Sequence, residues 1–234
     1  MELVFRDDPY AESCEAEVVD ASPDGIRLTR TVFYPMGGGQ PGDTGRLIWD
    51  GGSVEIGDAR KGDSHDEVLH IPAEGVDLPA PGTRVTARID WERRHRLMRM
   101  HTTMHLLCSL LEGDVTGGQV GESKSRLDFN VAGDQIDKEV LTQRLNELVR
   151  QDRAVRSRWV DDAELDTNPG LVRTMSVKPP RGSGKVRLIE IDGVDLQPCG
   201  GTHVRSTGEI GPVRIGKVEN KGRQNRRINI HLSE

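Results

Sequence analysis

Between Trp91 and Leu111 the chain contains no glycine or proline, although 27 glycines and 12 prolines are spread over its 234 residues. That stretch constrains the fold more than any other feature. Proline and mid-element glycine weaken helices, so a segment free of both, with Asp90 before it as an N-cap and Gly113 after it as a stop, reads as one long helix. Upstream, short strand-like runs alternate with turns: Ala16–Val19, Ile26–Phe33, Arg46–Trp49, Ser53–Asp58, Val68–Ile71 and Arg84–Ile89. Ser22-Pro23-Asp24-Gly25 is a turn with a mechanism, Pro setting φ and Gly supplying positive φ. Downstream, residues 134–151 carry Ile136, Val140, Leu141, Leu145, Leu148 and Val149 at helical spacing. Strands are predicted at Val155–Val160, Lys185–Ile191, Val213–Val218 and Arg226–Leu232, and a short helical turn at Val160–Leu165. The chain therefore reads as α+β: a small β-barrel-like domain over residues 1–90, then a two-layer domain over 91–234 with a helix pair on an antiparallel sheet.

Composition narrows the class. Aromatic residues are only 3% of the chain, so the core has to be built mostly from Leu, Ile and Val. No apolar run approaches the roughly 18 residues that a membrane-spanning helix needs, and the first residues lack the basic and apolar regions of a secretion signal. Three cysteines, Cys14, Cys108 and Cys199, do not make a disulfide framework. A reducing cytoplasmic home is the expectation, and there a cysteine near histidines is a candidate metal ligand.

Two clusters answer that description. His101-Thr102-Thr103-Met104-His105 places two imidazoles one turn apart on one helix face, together with Leu97, Met104 and Cys108. Cys199-Gly200-Gly201-Thr202-His203 places a thiol and an imidazole around a flexible Gly-Gly step. Thr102 stands where a zincin motif carries its general base, so that chemistry is excluded. Imidazoles with one thiolate suit tetrahedral Zn²⁺. Four protein ligands would close such a site and three would leave a position open. A packed pair of core histidines satisfies the same helical spacing.

Gly37-Gly38-Gly39-Gln40-Pro41-Gly42 matches the letters of a dinucleotide fingerprint, but a strand rather than a helix follows it, which excludes pyrophosphate binding of that kind. Gly182-Ser183-Gly184-Lys185 lacks the full P-loop spacing. The glycine loop is either a hairpin turn or a bare backbone that a ligand approaches closely. The net charge of −6 is uneven. Arg205, Arg214, Lys217, Lys221, Arg223, Arg226 and Arg227 are opposed only by Glu209 and Glu219, whereas residues 1–29 are strongly acidic. Arg93, Arg94, His95, Arg96 and Arg99 form a second basic cluster just before His101. Two basic clusters flanking a metal site suit a polyanion. The scarcity of aromatics points to phosphate contacts and shape, as for structured RNA, rather than base stacking.

In order along the chain, Tyr34–Gly45, His101–Leu107, Val115-Thr116-Gly117-Gly118-Gln119, Arg126–Phe129, Asp195–His203 and Thr207–Gly222 resemble the alanyl-tRNA editing proteins of the AlaX type, medium-length form. These are related to the editing domain of alanyl-tRNA synthetase. The likeness spans nearly the whole chain, and no class II aminoacylation core is discernible. It implies a β-rich domain joined to an editing domain, with one Zn²⁺ held by His101, His105, Cys199 and His203. It implies hydrolysis of tRNA(Ala) mischarged with serine or glycine. Thr116, with Gln119 as its neighbour, is placed at the serine side chain. Gly37, Gly38, Gly39, Gln40, Lys217, Lys221 and Arg223 are assigned to substrate and tRNA. Two rival readings are a non-catalytic zinc module that binds RNA and a metallohydrolase of small esters.

Overall fold

The computed structural model describes residues 1–64, 66–131, 136–161, 185–223 and 225–233. Among these it is mostly β, with a six-stranded closed barrel and three helices. It divides into two compact units, Met1–His95 and Arg96–Glu234. The division falls inside the long helix rather than before it.

The first unit contains β1 (Glu2–Leu3), α1 (Val4–Asp7), β2 (Ser13–Ser22), β3 (Gly25–Leu28), β4 (Arg30–Thr31), β5 (Gly45–Trp49), β6 (Gly52–Lys61), β7 (Val68–Pro72) and β8 (Arg84–Ile89). The barrel order is β2-β3-β7-β6-β5-β8, and β8 pairs back onto β2. Inward positions carry Val18, Ile26, Leu28, Leu47, Val54, Ile56, Val68, Val85 and Ala87, and Phe33 fills the same core. Bulges bend the strands enough to close so small a barrel. In β6 the register shifts between Ile56 and Asp58, so the buried set runs Val54, Ile56, Ala59. In β2 it shifts between Val18 and Asp20, which leaves Val19 exposed.

His70 of β7 is the polar exception inside this core. Its Nδ1 donates to the Ile26 carbonyl at 2.8 Å, and its Nε2 accepts from the Thr31 hydroxyl at 2.7 Å. The Phe33 N–H donates in turn to Thr31 Oγ1. Every polar atom of the ring is thus satisfied in the neutral form, and burial pulls its pKa down to about 4.

The helix α2 (Trp91–Leu110) begins on the barrel. Asp90 caps it, accepting from the Arg93 N–H at 3.1 Å. Arg94 is fully buried and paired with the equally buried Asp43 of the glycine loop. Its remaining donors reach the Pro9 and Val32 carbonyls. Arg93 donates to the Gly42 carbonyl and Arg99 to the Ile210 carbonyl. The basic cluster before His101 is therefore largely engaged in holding the helix. Arg94 in particular is out of reach of a phosphate, a correction to its reading as part of a polyanion surface.

The second unit continues with β9 (Asp114–Gln119), β10 (Lys124–Asn130), α3 (Lys138–Arg150), β11 (Val155–Asp161), β12 (Lys185–Ile191), β13 (Asp195–Pro198), a 3-10 turn at Thr207–Ile210, β14 (Val213–Asn220) and β15 (Asn225–Leu232). These strands form two sheets, β14-β15-β10-β9 and β11-β12-β13, rather than the single sheet expected. Strands β9, β10 and β13 were absent from the sequence expectation. Helix α3 is capped by Asp137, whose carboxylate accepts from Glu139 N and Val140 N. Its Leu141, Leu145 and Val149 are buried. Asn146 and Thr142 hydrogen-bond the backbone of Val213 and Ile215 along the outer edge of β14. The helix thereby covers an edge strand that would otherwise be open to pairing. The predicted turn at Val160–Leu165 and the Gly182–Lys185 fragment extend into residues outside those described.

Candidate metal centre

Helix α2 is buried on every side from Met100 to Cys108, not along one stripe. Its two buried threonines resolve the cost of that burial locally. Thr102 Oγ1 donates to the Met98 carbonyl and Thr103 Oγ1 to the Arg99 carbonyl, each one turn back. His101 and His105 project from this rigid segment. Cys199 and His203 lie in an irregular segment after β13, and Arg187 of β12 holds that segment in shape. The Cys199 N–H donates to the Arg187 carbonyl, and Arg187 Nη1 donates to the Cys199 and Gly201 carbonyls at 3.1 and 2.8 Å.

The four side chains converge. One ligand atom from each of His101, His105, Cys199 and His203 lies within 4.8 Å of all the others. Cys199 Sγ is 3.5 Å from His101 Nε2 and 3.3 Å from His203 Nε2. Around a tetrahedral zinc with usual bond lengths, a nitrogen and a sulfur ligand sit about 3.5 Å apart. The spacing and the donor set therefore fit a cation of that kind. Cys108, further along α2, is buried but is not one of the group, and Cys14 belongs to the first unit, where burial pushes its thiol up.

The electrostatics favour a thiolate. Burial raises the Cys199 pKa, but the neighbouring His101 and His203 pull it well below the ordinary value. The Gly201 N–H also points at the sulfur, at 3.4 Å. Burial and the nearby His101 push His203 down, towards the neutral form that can donate a lone pair. Burial pulls His105 down too, yet its hydrogen bond to Asp195 and the influence of Cys199 outweigh it, raising the pKa to about 10. A metal ion would take the place of that proton.

Sequence reasoning missed the groups behind the ligands. Asp195 Oδ2 accepts from His105 Nδ1 at 2.9 Å. Gln197 Nε2 donates to the same carboxylate oxygen at 2.8 Å and lies 3.0 Å from that imidazole nitrogen. Thr102 Oγ1 is 3.1 Å from His203 Nδ1. A signal was available: Asp195 and Gln197 alternate on one buried face of a short strand, and inward polar residues need partners.

Thr116 is the extra residue of a bulge. Val115 pairs with Phe129 and Gly117 with Asp128, leaving Thr116 unmatched between them. Its hydroxyl donates to the Asp128 carbonyl at 3.2 Å. Gly118, two residues on, faces α2: a Cβ there would sit 3.3 Å from Met104 Cε. Gln119 is exposed and accepts from Arg126.

In the first unit, Gly37 and Gln40 exchange backbone hydrogen bonds around Gly38 and Gly39, which have φ of 58° and 82°. This is a tight hairpin turn that glycine makes without strain. Gln40 is buried, whereas Gly38 and Gly39 form the exposed tip. Lys217 and Lys221 are exposed at the β14–β15 end, both near Glu219, and Arg223 is exposed in the turn. Arg227 is engaged by Asp128, whose carboxyl the Arg227 hydrogen bond holds below the usual range.

The sequence of this chain is similar to those of known proteins. Residues 186–229 match the family model of the threonyl and alanyl tRNA synthetase second additional domain, and residues 8–93 match that of class II (A) tRNA synthetases. The first match takes in Cys199 and His203, and the second covers the barrel. The chain is 35% identical to the alanyl-tRNA editing protein AlaX-M of Methanosarcina acetivorans, over 97% of both chains. It is 32% identical to the AlaX-M protein of Saccharolobus solfataricus, again over 97% of both. It is also 36% identical to the alanine–tRNA ligase of Pyrococcus furiosus, over 92% of this chain and 24% of that protein. A thiol and three imidazoles at one point, in a chain alike from end to end with these editing proteins, place it: the chain belongs to the AlaX-M family of alanyl-tRNA editing proteins.

Proposed function

We propose that this protein is a zinc-dependent aminoacyl-tRNA deacylase that clears serine or glycine from mischarged tRNA(Ala). The observation that carries this reading is the convergence of His101, His105, Cys199 and His203. Bound among them, Zn²⁺ would supply a Lewis acid and an anchor for a polar group of the substrate. The chain supplies the rest. An aminoacyl ester is already labile, so holding it beside an ordered water accounts for much of the rate. Asp195 is committed to His105 and Gln197, which makes it a positioning residue and not a general base.

Selectivity has a physical source in Thr116. Its single hydroxyl proton is engaged by the Asp128 carbonyl, so its oxygen presents lone pairs. Those accept a hydrogen bond from the serine hydroxyl, which the methyl group of alanine cannot give. Gln119 adjoins it. The loop Gly37–Gln40, exposed at Gly38 and Gly39, and the cations Lys217, Lys221 and Arg223 are assigned to the RNA, with the barrel domain to residue 90 and the editing domain from 91. The similarity to alanyl-tRNA editing proteins supports tRNA(Ala) as partner and the cytoplasm as place of action. Among the described residues no helix is long and apolar enough to cross a membrane.

The test is deacylation of Ser-tRNA(Ala), Gly-tRNA(Ala) and Ala-tRNA(Ala) by the metal-loaded protein. Faster release of serine than of alanine is expected, with loss of activity in the His101→Ala, Cys199→Ala double variant. Equal rates, or full activity in that variant, would overturn the reading. Tight tRNA binding without turnover would instead indicate a zinc-containing RNA-binding module. Turnover of small esters with no effect of salt on substrate affinity would indicate a general metallohydrolase.

A further inference from the structure

The residues behind the ligands differ in kind, and that difference has a consequence for the metal. His105 Nδ1 faces a carboxylate, Asp195, at 2.9 Å, and Gln197 donates to the same oxygen from beside the ring. With Nδ1 donating to Asp195, Nε2 is left as the lone pair that faces the cluster. His203 Nδ1 faces a neutral hydroxyl. Thr102 Oγ1 commits its only proton to the Met98 carbonyl at 3.0 Å and accepts from the Val204 N–H at 3.3 Å. The 3.1 Å contact with His203 is therefore an Nδ1–H donating to Thr102 Oγ1. Both rings expose Nε2 inward, but only one has a negative charge behind it. A carboxylate behind an imidazole makes it a stronger donor, and losing such a partner typically weakens metal binding about 10- to 100-fold.

Backbone support is graded in the same direction. His105 rides on the buried helix α2, and Arg187 clamps the carbonyls of Cys199 and Gly201. His203 lies beyond that clamp, in a buried segment without regular structure whose Val204 N–H is bonded to Thr102.

We propose that these hydrogen bonds grade the ligands: Asp195 makes His105 a firmly held donor, while Thr102 orients His203 without charging it and leaves it the exchangeable one. The proposal rests on the reading of the cluster as a zinc site. It assigns Asp195, Gln197 and Thr102 as positioning residues.

The experiment measures zinc stoichiometry and affinity of the full chain by competition with a chromophoric chelator. The thiolate-to-metal absorption of the cobalt(II) form is followed alongside. Asp195→Asn, which keeps the shape and removes the charge, is expected to weaken zinc binding about 10- to 100-fold. Thr102→Val is expected to weaken it less than Asp195→Asn does, since a hydrogen bond to a neutral hydroxyl is weaker than one to a carboxylate. His203→Ala is expected to retain one zinc and the cobalt–thiolate band, whereas His105→Ala loses both. Asp195→Asn binding zinc like the wild type would overturn the grading, as would His203→Ala losing metal as completely as His105→Ala. Thermal melts identify any variant that fails to fold, and for it Asp195→Ala or His203→Gln is judged by the same criteria. A wild-type chain that binds no zinc would sink the zinc reading itself, a distinguishable result.

Discussion

Acidification should unfold the barrel through one residue, His70. Its ring sits at 0% exposure between the Ile26 carbonyl and the Thr31 hydroxyl. Protonating Nε2 would place a second N–H against a hydroxyl already receiving the Phe33 N–H, with no carboxylate among the bonded partners to offset the charge. Burial holds its pKa at about 4, against 6.5 for an exposed histidine. Because the folded value is the lower one, the neutral form favours folding. The stability it contributes is whole above pH 6.5 and is lost as the pH falls towards 4. The full loss is about 3 kcal/mol, of which ~2 kcal/mol has gone by pH 5. Other groups titrate over the same range, so the comparison has to be differential. Hydrogen exchange of the β3 and β7 amides reads the barrel apart from the second unit. His70→Gln should cost stability at pH 7.5, about 1–3 kcal/mol for imperfectly replaced hydrogen bonds. Between pH 7.5 and pH 5 it should then lose ~2 kcal/mol less than the wild type. Parallel pH profiles for the two proteins would refute the reasoning.

Other perturbations separate roles that the sequence merges. Arg94→Met leaves Asp43 buried with its charge unpaired, and should destabilise the first unit by about 3–5 kcal/mol in urea unfolding; a change below about 1 kcal/mol would mean the pair is solvated. Thr116→Val keeps the shape of the bulge and removes the hydroxyl, so hydrolysis of the seryl ester should fall roughly 10- to 100-fold while the residual alanyl rate holds. Gly42→Ala would place a Cβ 2.1 Å from the Ala59 carbonyl oxygen, and thermal melts should show a loss of about 1–3 kcal/mol. Gly38→Ala meets open space but a φ of +58°, which costs only about 1 kcal/mol. A larger drop in tRNA affinity at Gly38 than at Gly42 would mark the loop tip as the contact.

The barrel was legible because its information is local. Turn residues separate strands whose inward positions are apolar, and each of the six predicted runs lies within or overlaps a strand from β2 to β8. What escaped was set at a distance. Strand β9 contains Gly117-Gly118, which weakens any strand signal, yet a Cβ at Gly118 would press on the tips of Met104 and Leu127. Strand β13 is four residues ending in Pro198, too short for a pattern. The division into two sheets depends on β10 choosing β15, a partner far along the chain, while β12 pairs with the preceding strand β11. Charge misled for a related reason. Arg94 looks like a surface cation among cations, and only the fold reveals that Asp43, 51 positions earlier, is waiting for it.

The metal centre divides the same way, and the division is chemical. Ligand spacing is a local property: an imidazole one turn from another, or a thiol across a Gly-Gly step, shows in the letters. The groups that set the strength of each ligand are not local to it. Asp195 lies 90 positions from His105, and Thr102 lies 101 from His203. Thr102 sits inside one ligand motif and Asp195 just before the other, and each serves the histidine of the opposite segment. This crossing has a structural effect beyond donor strength. Hydrogen bonds that run from the helix to the loop's histidine, and from the strand to the helix's histidine, tie α2 to the segment around β13. Two fragments that each carry half of the ligands are thereby held in register by their own side chains. A preformed site of this kind loses less conformational entropy on binding a cation than four independent side chains would. The glycines of C-G-G-T-H let the loop reach the helix, and the threonine of H-T-T-M-H meets it there.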